Sequence, residues 1–592
     1  MTQTLSASLD IVPRMESTII QHCHATHAYV TKDTAAFNKD VAALAGSLRD
    51  LRSCKITLSC VSWLPPEILT TIFTYIVEDD AFKSCTGTPR PCGAPISMII
   101  THICRRWRQV ALECPTLWAY LNCVSANWLD IMFERSKKAA LVVIYRSPGS
   151  LRKCFQQILS QLPRIKYLQL CSSSWEVDRI LDCLSSQPAP SLQTLKFSVV
   201  RKSQTRVIRP ISDSIFQGRA PLLRSVELNE CTFSWTSCIF SGLRTLDVRR
   251  IGSASYPTLT QLLSALRRMP ELEQLTLGLS SRFSEDTELS DQVPLARLKR
   301  IALDACTLRN AVSLFSSLSF PVDVKIALNL APIGSCLSDL FLVMHKDPDG
   351  SGPIIRSMRA SLSYHTFGVQ FSTSMTFKSE YFWNPPDDDI ILSLQFKCSS
   401  STRKPPVIFD ICQMVPHRQI RSLSVTSSLF LRDNFWRAGS ADLPALESIQ
   451  LSGTCNIRSL IAVLQSGGVQ SSDMAYPSLH ALELESIDFG CGEAEELQDI
   501  VIIRAGHGLG IHELRLVKCR NLVDDKVQLL KEVVPAVDWD GHEESLVGGD
   551  GSGGGCLCHN CRDESSSGED YMQALLHSDW DYDPDSDAYS EE

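Results

Sequence analysis

Two hydrophobic rhythms divide the chain. The first is helical and lies near the N-terminus. Pro65 and Pro66 suit the start of a helix, whose first N–H groups lack intrahelical acceptors, and Glu67 suits the positive end of its dipole. Ile68, Leu69, Ile72, Phe73 and Ile76 then recur at helical spacing and form one apolar stripe. The pattern predicts a second helix from about Ile96, with Ile99, Ile100, Ile103, Trp107, Val110 and Ala111 on a shared face and Arg105, Arg106 and Arg108 largely off it. Cys114-Pro115 ends that helix, because proline cannot continue it, and Leu117 and Trp118 follow as a further bulky pair. Upstream, residues 1–16 suit a flexible terminus. Residues 17–60 carry helical spacing through Ile19, Ile20, Cys23, Tyr29, Val30, Phe37, Val41, Leu44, Leu48 and Leu51.

The second rhythm begins after a short helical stretch (Trp128, Leu129, Ile131, Met132) and a strand-like run, Ala140–Ile144. Short segments with apolar residues two or three apart then return along the chain, often after a proline. They are Leu162–Leu170, Pro190–Phe197, Pro221–Leu228, Leu243–Val248, Pro270–Leu277 and Leu298–Leu303, and later Ile420–Val425, Pro444–Leu451, Pro477–Leu484 and Ile511–Leu516. Their last apolar residues lie 27, 31, 20, 29 and 26 residues apart in the first set and 26, 33 and 32 in the second. The 122 residues between Leu303 and Val425 leave room for about four more, with candidates ending at Leu330, Phe371 and Phe396. Helical runs such as Leu262–Leu266 and Leu460–Leu464 lie between strands. A strand plus a helix at this period is the signature of leucine-rich repeats, whose units stack because none buries its apolar face alone. The repeats are irregular and lack a regular Asn or Cys at the ladder position, so a continuous α/β layer is the alternative.

Composition bounds the rest. At 592 residues, 44% hydrophobic and 21% charged, the chain has material for several domains or one long array. Its formal charge of −9 is uneven: from Asp563 onward there are eleven Asp or Glu and no Lys or Arg, leaving about +2 for everything before. That near-neutral body offers no basic stripe for nucleic acid. The 23 cysteines follow no framework, no secretory signal pattern opens the chain, and no apolar run approaches bilayer length. A cytoplasmic or nuclear protein with reduced thiols is expected. Residues 538–592 read as a disordered tail, with glycines at 548–555 and then acidic residues interspersed with aromatics, as in Asp579-Trp580-Asp581-Tyr582-Asp583.

In order, Leu-Pro-Pro-Glu-Ile-Leu from Leu64, Ile72-Phe73, Cys104-Arg105-Arg106-Trp107-Arg108 and Leu117-Trp118 resemble an F-box, with a longer polar connection at Glu78–Pro95 than is usual. An F-box-like region over 61–123 followed by repeats over 124–537 resembles the F-box/leucine-rich-repeat proteins of the expanded fungal set. The fold class that follows is α/β: an N-terminal helix and helical module, an irregular repeat solenoid, and an acidic tail. The resemblance implies a non-catalytic substrate receptor of a cullin–RING ubiquitin ligase, docking on a Skp-type adaptor and holding a protein target on its repeats. Leu64, Pro65, Ile68, Leu69, Ile72 and Phe73 would line the adaptor contact, with Ile103, Trp107, Leu117 and Trp118 beside or beneath them. A leucine-rich interaction scaffold without a ligase is the alternative.

Other chemistry finds little support. No Gly-x-Ser-x-Gly, phosphate-cradling Gly-rich loop or His-Glu-x-x-His occurs, so no catalytic residues, cofactor or metal are expected. His22, Cys23, His24 and His27 do not match a closed zinc site. Cys556, Cys558, His559 and Cys561 are crowded too tightly for one tetrahedral ion. Ser566 and Ser567, each with an acidic residue three positions on, are candidate phosphorylation sites.

Overall fold

The structure is a computed structural model. It describes residues 21, 37–47, 63–83, 94–122, 126–146, 152–200, 209–251, 255–279, 283, 292–331, 337–344, 353–363, 365–377, 388–397, 411, 415, 417–428, 431, 433–453, 457–465, 474–490 and 492–542. The two cysteine–histidine clusters, Ser566, Ser567 and the acidic tail lie outside them, as does most of the expected N-terminal helix. Residues 37–47 are helical, with Phe37, Val41 and Leu44 exposed. The fold is mixed α/β, dominated by parallel strands. By the density of their contacts, the residues form two units: 1–209 with 214–223, and 210–213 with 224–592.

The first unit opens with helix α1 (Pro66–Lys83). The single helix expected from Ile96 is instead two, α2 (Ile96–Thr101) and α3 (Arg105–Glu113). The break has a local cause: Cys104 is extended (φ −156°, ψ 168°), and its sulfur accepts the Trp107 N–H at 3.4 Å, capping α3. Cys114-Pro115 ends α3 as expected, and a 3₁₀ turn, Pro115–Trp118, leads into strand β1 (Tyr120–Asn122). Helix α4 (Ala126–Ser136), β2 (Leu141–Arg146), α5 (Arg152–Leu159), β3 (Ile165–Ser173), α6 (Val177–Ser185) and β4 (Thr194–Val200) follow. The strands pair in parallel in the order β1-β2-β3-β4, with Tyr120 opposite Val142, Val143 opposite Leu168, and Leu170 opposite Phe197. Leu168, Leu170, Leu195 and Phe197 are buried, so the spaced apolar residues form one core-facing row.

In the second unit the strands are β5 (Ser225–Asn229), β6 (Thr245–Arg249), β7 (Gln274–Gly278), β8 (Val293–Pro294), β9 (Arg300–Cys306), β10 (Leu318–Ser319), β11 (Lys325–Leu330), β12 (Ser357–Leu362), β13 (Thr366–Ser372), β14 (Ile390–Lys397), β15 (Ser422–Ser427), β16 (Ser448–Gly453), β17 (Ala481–Glu485), β18 (Glu513–Val517) and β19 (Ala536–Trp539). Interleaved with them are α7 (Leu259–Arg267), α8 (Leu308–Ser316), α9 (Ser338–Met344), α10 (Asp433–Asp442), α11 (Arg458–Gln465), α12 (Glu493–Gly506) and α13 (Asp524–Val533). Each of α10 to α13 packs on the next. Strands β8 and β10 form a small pairing of their own.

The strand order is β5-β6-β7-β9-β11-β14-β13-β12-β15-β16-β17-β18-β19. Among these pairings only those of β13 are antiparallel, so β12-β13-β14 is a meander laid in reverse order within a parallel sheet. It fills part of the long spacing between Leu303 and Val425. Leu330 and Phe396 end or nearly end strands parallel to the rest, whereas Phe371 lies on the reversed β13.

Away from the meander the local geometry repeats. A tight turn precedes many of the strands, in which the Leu272 N–H reaches the Met269 carbonyl (3.1 Å), Leu298 that of Leu295 (3.0 Å), Leu446 that of Leu443 (3.3 Å) and Leu479 that of Tyr476 (3.2 Å). The carbonyl just before one strand then accepts two N–H groups of the next: Arg244 from Glu273 and Gln274, Glu447 from His480 and Ala481, His480 from His512 and Glu513. At or just past the end of the strand a left-handed residue turns the chain, at Glu230, Arg250, Ala305, Gly453, Ser486 and Lys518. Among the described residues no helix is long and apolar enough to cross a membrane.

Candidate functional site

Helix α1 is apolar on two sides. Leu69, Phe73, Val77 and Ala81, four apart, form an inner row that is fully or almost fully buried. Ile68, Ile72, Tyr75 and Ile76 form an outer row. Tyr75 is 71% exposed, Ile68 46% and Ile72 38%, and just before the helix Trp63 is 78% exposed. The single stripe expected from spacing is therefore two adjacent rows, one buried and one exposed.

The inner row sets the packing. The Phe73 ring lies 4.8 Å from that of Trp107 on α3. Leu117 and Trp118 are wholly buried, the Trp118 Nε1–H donates to the Ala111 carbonyl at 2.8 Å, and the Arg135 guanidinium sits 4.4 Å from the Trp118 ring centre. The Arg106 guanidinium donates to the Leu64 carbonyl, which fixes the start of α1 beside the start of α3. At the other end of α1, the Tyr120 hydroxyl donates to the Glu78 carboxylate and the Asn122 amide to the Ala81 carbonyl at 3.3 Å. Both partners lie on β1, so the helical module is tied directly to the parallel strands of its own unit. Burial, and then the bond to Glu78, push the Tyr120 phenol above its ordinary range, so it stays a neutral donor.

These contacts sort the ten candidate positions. Leu69, Phe73, Leu117 and Trp118 are core, and Trp107 is half-buried against Phe73. Pro65, Ile68, Ile72 and Ile103 are exposed, with Leu64 partly so. Trp63, Tyr75 and Ile99 are also exposed and add to the apolar side chains that the module presents to solvent. The helical spacing of Tyr75 from Ile68 and Ile72 was the signal that could have found it. A cluster of exposed large apolar side chains on one small module is characteristic of a docking surface. The titratable pair beside it, Glu78 with Tyr120, is engaged in holding β1.

Among the described residues no three His, Cys, Asp or Glu side chains are arranged to hold a metal ion. No protein-family profile matches the chain, and no curated protein sequence does so.

Proposed function

We propose that the chain is the non-catalytic substrate-recognition subunit of a cullin–RING ubiquitin ligase in the cytoplasm or nucleus. Its helical module is an F-box that docks on a Skp-type adaptor. The strand–helix units are degenerate leucine-rich repeats stacked as a solenoid, and they hold a protein target. Ubiquitin transfer belongs to the partners, and this chain contributes proximity.

The observation that carries the reading is the outer row of α1. A helix serving only its own hairpin would keep one apolar face inward and a polar face outward. Ile68, Ile72 and Tyr75 are instead exposed to solvent, as are Trp63 just before the helix and Ile103 between α2 and α3. The repeated turn, the doubly used carbonyl and the left-handed exit support the repeat reading.

Co-purification with a Skp-type adaptor, wild type beside an Ile68→Ala/Ile72→Ala/Tyr75→Ala variant, tests it. Each truncated anchor removes about 2 kcal/mol. Three together remove about 6 of the roughly 8 kcal/mol of a micromolar contact, weakening it about 10⁴-fold and below what co-purification retains. Because all three side chains are solvent-exposed, circular dichroism of the variant should match wild type. A folded wild type that does not bind the adaptor would overturn the proposal and leave an interaction scaffold.

A further inference from the structure

The first unit contains a cavity of about 230 Å³ lined by Tyr145, Phe155, Trp175, Glu176, Arg179 and Ile180. It is made by the end of β2, the turn between β3 and α6, α5 and the start of α6. Tyr145, Phe155 and Ile180 form buried walls, with the Tyr145 and Phe155 rings 4.7 Å apart, and Trp175 stands half in solvent at the rim. The two charged rim groups differ. The Glu176 carboxylate accepts from the Ser173 hydroxyl at 3.2 Å. The Arg179 guanidinium is exposed and makes no ion pair among the described residues. A larger cleft of about 530 Å³ beside Lys518 and Arg520 has no comparable apolar wall, and its Asp540 carboxylate is taken by two backbone N–H groups.

We infer that the aromatic-walled cavity is an anchor site for one bulky apolar side chain of a peptide target, with a carboxylate neighbour of that side chain meeting Arg179. The size supports one side chain rather than a whole small ligand, since pockets for the latter begin at about 300 Å³. The walls supply the desolvated contact on which a binding hot spot depends. Of the two rim charges Arg179 is the more exposed, while Glu176 is turned toward the Ser173 hydroxyl, so it is the guanidinium that meets an arriving neighbour, attracting a carboxylate and repelling a second cation. The inference rests on the target-binding half of the proposed function and is independent of the adaptor face.

Selection of a displayed random octapeptide library on the full-length protein tests it, with wild type, Arg179→Glu and Trp175→Ala in parallel. Wild type should enrich peptides in which Leu, Ile, Met, Phe or Trp lies within two residues of Asp or Glu. Arg179→Glu should keep the apolar residue and exchange the acid for Lys or Arg, by about fivefold in relative enrichment for an exposed pair. Trp175→Ala should lose the apolar preference. Both substituted side chains are at the rim, so the fold is preserved, and adaptor co-purification of each variant reports on the other proposal separately. Identical peptides from all three proteins, or no apolar-acidic enrichment on wild type, would overturn the inference.

Discussion

Phe73 and Tyr75 are aromatic residues two positions apart on α1, and the structure assigns them opposite fates. Phe73 is fully buried with its ring 4.8 Å from Trp107, whereas Tyr75 is 71% exposed. Phe73→Ala removes a buried ring and leaves a cavity, at about 3–5 kcal/mol, of which roughly 1 kcal/mol is the aromatic pair. Tyr75→Ala touches no packed neighbour in the core and should stay within about 0.5 kcal/mol of wild type. A chain of two units does not unfold in one step, so the assay must be local. Urea titration followed by hydrogen exchange of the α1 and α3 amides serves that purpose. With a slope of about 2 kcal/mol per M, Phe73→Ala should lower the midpoint by roughly 1.5–2.5 M. Tyr75→Ala should leave it unchanged and weaken adaptor binding instead. Equal midpoints for the two variants, or a larger loss for Tyr75→Ala, would refute the division of α1 into inner and outer rows.

Two further outcomes follow from the strand ends. At Gly453 (φ +108°) an added Cβ would lie 2.3 Å from the Ser427 carbonyl oxygen, so Gly453→Ala should destabilise the β15–β16 pairing by about 3 kcal/mol or more, read as lost exchange protection there. Asp540 accepts the Lys518 N–H at 2.7 Å and the His542 N–H at 3.1 Å. Partial burial pulls its pKa up, but those bonds outweigh burial and hold the carboxyl below its ordinary range. A depressed carboxylate contributes stability above its unfolded pKa and loses it as pH falls through the folded value. Protection of the Lys518 amide should therefore fall in acid relative to the Ser486 amide, whose acceptor is the Val517 carbonyl. Asp540→Asn should remove that pH dependence.

Much of the fold was legible because its signal is local. The ten apolar segments from Leu162–Leu170 to Ile511–Leu516 coincide with β3 to β7, β9 and β15 to β18, since a strand buried on one face writes its own alternation. Leu262–Leu266 and Leu460–Leu464 lie in α7 and α11 for the same reason. The direction of β13 was not legible: Phe371 is as apolar as any repeat leucine, and only pairing with β12 and β14 reverses it. At the candidate site, spacing placed Ile68, Leu69, Ile72 and Phe73 on one helix but could not divide them. That division depends on where Trp107 and Trp118 pack, and Trp107 reaches Phe73 from a helix that starts afresh after Cys104.

The reversed meander also bears on how the second unit assembles. Strand β12 is made before β14 yet lies farther from β11, and it is β12 that pairs with β15. The later strands β15 to β19 thus have a template that does not depend on the ladder from β5 to β11. Near-neighbour pairings with short loop closures run from β5 to β11 and from β15 to β19, whereas the pairings that tie the meander to each set span more of the chain, from Ser357 to Ser422 and from Ile326 to Leu392. The last strand of the meander, β14, then zips them together along Ile326–Leu392 and Val369–Leu394. Joining across the meander is therefore expected to be slower than the local pairings on either side, which makes the meander the seam of the sheet.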